Sequence, residues 1–259
     1  MRAKLLAPLG AFLFLLFIVA NAKNPLPFVS GERLEYEMEW GFFPVGYATM
    51  EVSQNESSEG NNSFLVNFSV RTNSFADTFY KVRTSITSQL DSSFSRTLSY
   101  TKSQREGSTR REIQVDYDYE KGECRYVLNG NSPQLLSIPG PCFDPLSIAY
   151  YFRVHPIEPD STKELPVCDG KKFRKVLVRS GSSKMMSLPV GKISVIETVP
   201  AMENLGGVFN KSPDGLLKVW YSNDDRRIPV KVSSKVVVGS FTATLVKANP
   251  PLEIKRKSR

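Results

Sequence analysis

The sequence predicts an all-β fold: a strongly curved antiparallel meander, half-barrel or barrel-like, with one short buried helix. Two observations carry this. Alternation of apolar and polar residues with a period of two runs from Leu34 to Lys247, and no helical segments alternate with strands as they would in a parallel sheet. About a dozen short strands in succession form a sheet that must curl, split or close to protect its edges.

The first strand places Leu34, Tyr36, Met38 and Trp40 on one face and Glu35, Glu37 and Glu39 on the other. Residues Gly41 to Gly46 contain Pro44 and read as a turn, after which Ala48, Met50 and Val52 face inward. Gln54 to Asn62, rich in Ser, Asn and Glu, reads as a loop. Phe64, Val66, Phe68 and Val70 make a third strand, and Tyr80, Val82, Ile86 and Leu90 a fourth. Strands follow at Thr97 to Gln104, Arg111 to Tyr119 and Glu123 to Leu128, with Glu106-Gly107 and Lys121-Gly122 as hairpin turns. After the helix come Lys171 to Ser180, Lys192 to Val199, Leu216 to Ser222, Ile228 to Ser234 and Ser240 to Lys247. Pro213-Asp214-Gly215 and Asn223-Asp224-Asp225 mark turns between them.

The helix is predicted over Asp144 to Arg153. Asp144 caps it, Pro145 takes the first position and Pro156 lies beyond its end. Leu146, Ile148, Ala149, Tyr150, Tyr151 and Phe152 cover most of its circumference, so it must be buried against the sheet.

Residues 1–22 read as a secretory signal peptide: Arg2 and Lys4 precede an apolar run from Leu9 to Val19, and Ala20-Asn21-Ala22 fits a cleavage site. The expected mature chain starts at Lys23, is exported to the periplasm or beyond, and has no second apolar run long enough to span a membrane. Residues 23–250 read as a single β domain and 251–259 as a basic tail. The formal charge is +8; losing Arg2 and Lys4 with the signal peptide leaves +6, of which Lys255, Arg256, Lys257 and Arg259 contribute four, so the folded body is nearly neutral. Such a tail is a solvated terminus or a contact for anionic lipid; an exported address argues against nucleic acid.

Cys124, Cys142 and Cys168 leave at least one thiol unpaired, and if a disulfide forms, Cys124 and Cys142 are the preferred pair because they are nearest in sequence. Their spacing fits no zinc motif, and the single histidine, His155, rules out a His-based metal site; no cofactor is implied. The sequons at Asn55, Asn61, Asn67 and Asn210 matter only in a eukaryotic secretory pathway.

Three blocks now assembled resemble a bacterial family, domain of unknown function 3108. They are Phe28-Val-Ser-Gly-Glu-Arg-Leu-Glu-Tyr with Gly46-Tyr-Ala, Phe143-Asp-Pro-Leu-Ser-Ile-Ala-Tyr-Tyr-Phe-Arg, and Leu217-Lys-Val-Trp-Tyr-Ser-Asn-Asp-Asp-Arg-Arg-Ile-Pro-Val-Lys closed by Gly239-Ser-Phe-Thr-Ala. The resemblance implies an envelope protein on a curved antiparallel sheet, similar in style to lipoprotein carriers. It implies no activity.

Catalytic constellations are missing. There is no Gly-x-Ser-x-Gly, His155 is the sole imidazole, and no phosphate-binding glycine loop occurs. Asp116 and Asp118 read as the wet side of a strand, and Asp224 and Asp225 as a hairpin corner balanced by Arg226 and Arg227. Aromatic and Met side chains on inward faces, Tyr36, Met50, Phe68, Tyr117 and Tyr126 among them, fill a core or line a cavity. The expected function is a non-enzymatic envelope protein binding a lipid-like ligand against Trp40, Phe64 and Trp220, beneath a glycine-hinged loop from Ala201 to Phe209 carrying Leu205 and Phe209. The alternative is a structural module that docks another envelope component.

Overall fold

The computed structural model describes residues 26–56, 62–201, 217–235 and 239–252. Among them, fourteen strands form one antiparallel sheet. The first half of the chain gives β1 (Glu32–Trp40), β2 (Phe43–Asn55), β3 (Ser63–Thr72), β4 (Val82–Asp91), β5 (Thr97–Glu106), β6 (Thr109–Asp118), β7 (Glu123–Leu128) and β8 (Gln134–Ser137). The second half gives β9 (Thr162–Cys168), β10 (Phe173–Leu188), β11 (Gly191–Pro200), β12 (Leu217–Ser222), β13 (Pro229–Lys235) and β14 (Ser240–Asn249). Each half is a meander, and the two join through β1 and β14, Trp40 opposite Phe241 and Arg33 opposite Asn249. The edges are β8 and β9.

The predicted curvature is present, and the sheet is not closed by a ladder. Side chains and one short segment seal its seam instead. The Tyr117 hydroxyl on β6 donates to the Cys168 carbonyl on β9 (2.7 Å), and Cys124 Sγ lies 3.6 Å from Cys168 Sγ. Beside them Phe143 bridges Val167 in parallel, its amide donating to the Pro166 carbonyl (2.9 Å) while the Cys168 amide donates to the Phe143 carbonyl (2.8 Å). These contacts give an edge strand partners without a full neighbour, which limits the exposed hydrogen-bonding groups that invite edge pairing.

Three elements differ from the sequence reading. Strand β9, Thr-Lys-Glu-Leu-Pro-Val-Cys, holds a proline that argues against a central strand; it is an edge strand, where proline is tolerated. The four-residue β8 is too short to show a period. A second helix, α1 (Ser74–Asp77), interrupts the approach to β4, with the Asn73 side chain accepting from the Ala76 amide at 2.9 Å. The predicted turn at 41–46 is also shorter, because β2 begins at Phe43.

The predicted helix is α2 (Ser147–Val154). It begins three residues later than predicted, with Leu146 and not Asp144 at the N-cap, but Asp144 still orders the entry, its carboxylate accepting from the amides of Leu146 (2.7 Å) and Ser147 (3.1 Å). Tyr150 is wholly buried and packs with Phe28, Phe64 and Phe94 in the main core, alongside Leu34, Tyr36, Met50 and Val66. A smaller cluster of Phe152, Val167, Val176 and Tyr221 lies on another side of the helix. The helix therefore occupies the end of the sheet at which β1 begins, here the helix end. The opposite end, where β1 passes to β2, is the hairpin end.

Candidate functional site

A cavity of about 140 Å³ lies between α2 and strands β9 to β12. Pro145, Ile148, Ala149 and Phe152 present one stripe of the helix to it, at the three- and four-residue spacing of a single helical face. Opposite, strand alternation supplies Val176 and Val178 from β10 and Leu217, Val219 and Tyr221 from β12. The fully buried lining is Phe152, Val167, Val176, Val178, Thr198 and Tyr221, apolar apart from Thr198 and the Tyr221 hydroxyl; the half-buried or exposed remainder is mostly apolar and includes the charged residues Asp169, Lys172 and Arg174. The Tyr221 hydroxyl donates to the Ala149 carbonyl (3.3 Å) and fixes helix to strand. Burial raises the Tyr221 pKa, so this hydroxyl stays protonated.

Of the sequence-predicted ligand contacts, the described ones, Trp40, Phe64 and Trp220, do not line this cavity. Phe64 is packed in the main core against Phe28 and Phe94. Trp220 is buried as well, and alternation along β12 turns it away from the side that carries Val219 and Tyr221; its indole N–H has no hydrogen-bond partner among the described residues. Trp40 corrects the reading most clearly. Its face of β1 runs from Leu34, fully buried, through half-buried Met38 to Trp40, 43% exposed, because the strand outruns the core. Leu205 and Phe209, and most of the loop from Ala201 to Phe209, lie outside the described residues, as do residues 1–22 of the expected signal peptide and the basic residues of the tail.

The three cysteines do converge, but not in the pair preferred from sequence. All are buried free thiols in one cluster; the thiol next to Cys124 is Cys168, and Cys142 Sγ lies 3.9 Å from the Tyr119 hydroxyl. Either thiol can be the donor between Cys124 and Cys168, and proximity to Cys168 together with burial raises the pKa of Cys124 and of Cys142. Chain separation misled here because curvature, rather than sequence distance, brings β7 to β9.

One buried polar cluster went unread in the sequence, and a second extends the role read for Asp144. Glu32 and Arg153 are both without solvent exposure and form an ion pair, Arg153 also donating to the second Glu32 oxygen at 3.1 Å. Arg226 completes the cluster, its guanidinium 2.9 Å from Glu32, and the Arg227 guanidinium donates to the Arg153 carbonyl (2.6 Å). Burial opposes the Arg153 charge, but hydrogen bonding to Glu32 prevails and its pKa is raised. The second cluster is Asp144, which also accepts from Ser88 and Thr97 (2.8 Å each). Its pKa is raised because burial outweighs those bonds. Both clusters tie α2 to the sheet, and neither lines the cavity. For the cluster of Glu32 and Arg153 the only advance signal was one basic residue, Arg153, in a largely apolar helix.

The remaining candidates fall where the sequence put them. Asp116 faces Arg125 (3.7 Å) and Asp118 pairs with Lys121 (2.8 Å) on the wet face of their strand. Asp224 shapes its corner by accepting from the amides of Arg226 and Arg227 at 3.0 Å, and Asp225 is exposed. His155 ends α2 with its ring 4.3 Å from that of Tyr151, and burial lowers its pKa. No group of three or more metal-ligating side chains occurs among the described residues.

The family described as "Protein of unknown function (DUF3108)" matches residues 35–246. No curated protein matches the sequence. Among solved structures, the beta-barrel-like protein of domain of unknown function DUF1849 from Brucella abortus is similar with a TM-score of 0.57 at 11% identity, covering 85% of this chain and 97% of that one. Weaker similarity is found to a protein from Parabacteroides distasonis (TM-score 0.36, 10% identity, 86% and 98% covered). A protein with a YmcC-like fold from Bacteroides fragilis gives a TM-score of 0.30 at 10% identity, with 86% and 97% covered. At these identities the Brucella protein supports the barrel-like fold and nothing finer.

Proposed function

The chain belongs to the DUF3108 family, and we propose that it is an exported, non-enzymatic protein of the bacterial cell envelope that holds an apolar or amphipathic ligand between α2 and β9 to β12. The observation that carries this reading is the cavity itself, apolar in its buried part, with two cations, Lys172 and Arg174, against one acid, Asp169, among its less buried residues. That polarity suits a ligand with a hydrocarbon or aromatic end and an anionic head. Size narrows the class. A cavity near 140 Å³ is close to the roughly 150 Å³ that holds benzene and below the roughly 300–1,000 Å³ of drug-sized pockets. It therefore takes a ring or the end of an acyl chain, not a whole lipid.

Native mass spectrometry and lipid extraction of the protein purified from its own compartment test this directly. The expected result is a bound species with an apolar end that is lost in Ala149→Phe, which fills the cavity from the helix side. A protein that carries nothing, and whose affinity for an anionic hydrophobic dye is unchanged by Ala149→Phe, would leave the interaction-module reading in possession.

A further inference from the structure

The hairpin end of the sheet carries aromatic side chains where turns ordinarily carry Gly, Asn, Asp and Ser. Of the thirteen large hydrophobic residues that are exposed among the described residues, seven belong to this end. The β1–β2 hairpin contributes Phe42 at 94% exposure, with Phe43 and Trp40 beside it. The β3–β4 connection contributes Phe79 at 78%, with Phe75 and Tyr80.

These side chains form one continuous rim. Trp40 stacks on Phe241 of β14 (6.5 Å between centroids), and Gly239 lies so close that a Cβ there would be 2.8 Å from the indole nitrogen. The β1–β2 hairpin is tied to the next connection by Asn73, whose side chain donates to the Pro44 carbonyl (2.8 Å) and whose amide donates to that of Val45 (2.9 Å). Phe75 and Phe79 then pack edge to face at 5.5 Å. Tyr80 covers Gly107 at the tip of β5–β6, where a Cβ would meet its ring at 2.5 Å. Four neighbouring connections thus share one aromatic border.

Charge selects its partner. Residues 39–44, 71–83, 105–111, 235 and 239–241 contain seven Lys or Arg, including Arg71, Lys81, Arg105 and Arg110, against three acids. One of those acids, Asp77, is already paired with Arg83 at 2.6 Å. Projecting aromatic tips bordered by cations match the interfacial zone of a membrane, where aromatic rings sit at headgroup depth and cations meet anionic lipid. Among the described residues no helix is long and apolar enough to cross a membrane.

We infer that the hairpin end docks on the surface of an anionic phospholipid bilayer, with Phe42 and Phe79 entering the interface and Lys81, Arg105 and Arg110 facing the headgroups. This is independent of ligand binding, since no rim residue lines the cavity.

The test is flotation of the protein, as the cell processes it, with vesicles of phosphatidylglycerol and phosphatidylethanolamine, compared with vesicles of phosphatidylcholine alone. The expected result is binding to the anionic vesicles that weakens as ionic strength rises from about 0.1 to 1 M, which shortens the screening length from about 10 to 3 Å. Phe42→Ser with Phe79→Ser should reduce it roughly tenfold or more, because each ring forfeits most of its transfer into an apolar phase. Circular dichroism and the thermal midpoint establish that the variant is folded. Wild-type protein that stays out of the vesicle fraction overturns the inference. So does a folded variant that floats as well as wild type, since binding would then reside elsewhere, in the basic tail for example.

Discussion

The two ends of the sheet meet water in opposite ways. At the helix end charged groups are drawn inside: Glu32 and Arg153 have no exposure, Asp144 is buried among hydroxyls and amides, and the turns are polar, as at Asp91 with Ser93 and Ser95. At the hairpin end aromatic rings are pushed outside, Phe42 almost entirely so. Buried charge must be paired and hydrogen-bonded, which fixes α2 in one position. Exposed aromatic surface gains nothing for folding, so it points to a contact beyond the chain. One end is organised for stability and the other for association.

The largest test of this contrast strikes the helix end. Glu32→Met leaves the unexposed Arg153 guanidinium without its carboxylate and should cost about 3–5 kcal/mol in thermal or denaturant unfolding. Adding Arg153→Met should restore much of the loss, since a well-packed apolar pair replaces the ion pair. If the single variant is nearly neutral, the pair is not buried as described.

Asp144→Ala comes next, at about 3 kcal/mol, because two hydroxyls and two amides lose their shared acceptor. Asp144→Asn should lose less. The folded pKa of Asp144 is raised above its ordinary carboxylate value, 3.8. The protonated form is therefore favoured by folding, and the stability it contributes is present below that value and lost as pH rises through the higher folded one. Stability curves of wild type and Asp144→Asn should diverge over that acidic window, and parallel curves would remove the assignment.

The seam gives a smaller effect. Oxidation by glutathione disulfide during refolding should join Cys124 to Cys168, which are 44 residues apart. That cross-link should add roughly 2–4 kcal/mol relative to the reduced protein. Peptide mapping reads the pair, and Cys124 joined to Cys142 would contradict the packing. Smallest of all, Phe42→Ser and Phe79→Ser should each change stability by no more than about 0.5 kcal/mol. A loss of several degrees would place these rings in the core and erase the difference between the ends.

How much of this was legible in the sequence follows the same division. Period two reveals strands and their inward faces, so Leu34, Tyr36, Met50 and Val66 are buried as read, and Gly107 and Gly122 turn with φ of +55° and +65°. The period does not say where a strand leaves the core, and Trp40 was misplaced for that reason. Nor does it reach across the chain: Glu32 and Arg153 are 121 positions apart, and Cys124 meets Cys168 only through the curvature of the whole sheet. The cavity was hidden because β9, one of its walls, contains the proline that disguises an edge strand. The aromatic rim was hidden differently. Its rings stand in positions that pattern reading assigns to an inward face or to a turn, and exposure distinguishes them only once the connections are assembled.

The most direct measurement of the contrast uses the two tryptophans, Trp40 on the rim and Trp220 in the core. Fluorescence is recorded with anionic vesicles whose acyl chains carry bromine, a short-range quencher. The wild type should lose the Trp40 share of its emission, and Trp40→Phe, which keeps an aromatic ring on the rim and only Trp220 emitting, should bind and remain unquenched. Wild-type emission unaffected by bound vesicles, or equal quenching in Trp40→Phe, would contradict the assignment of association to the hairpin end.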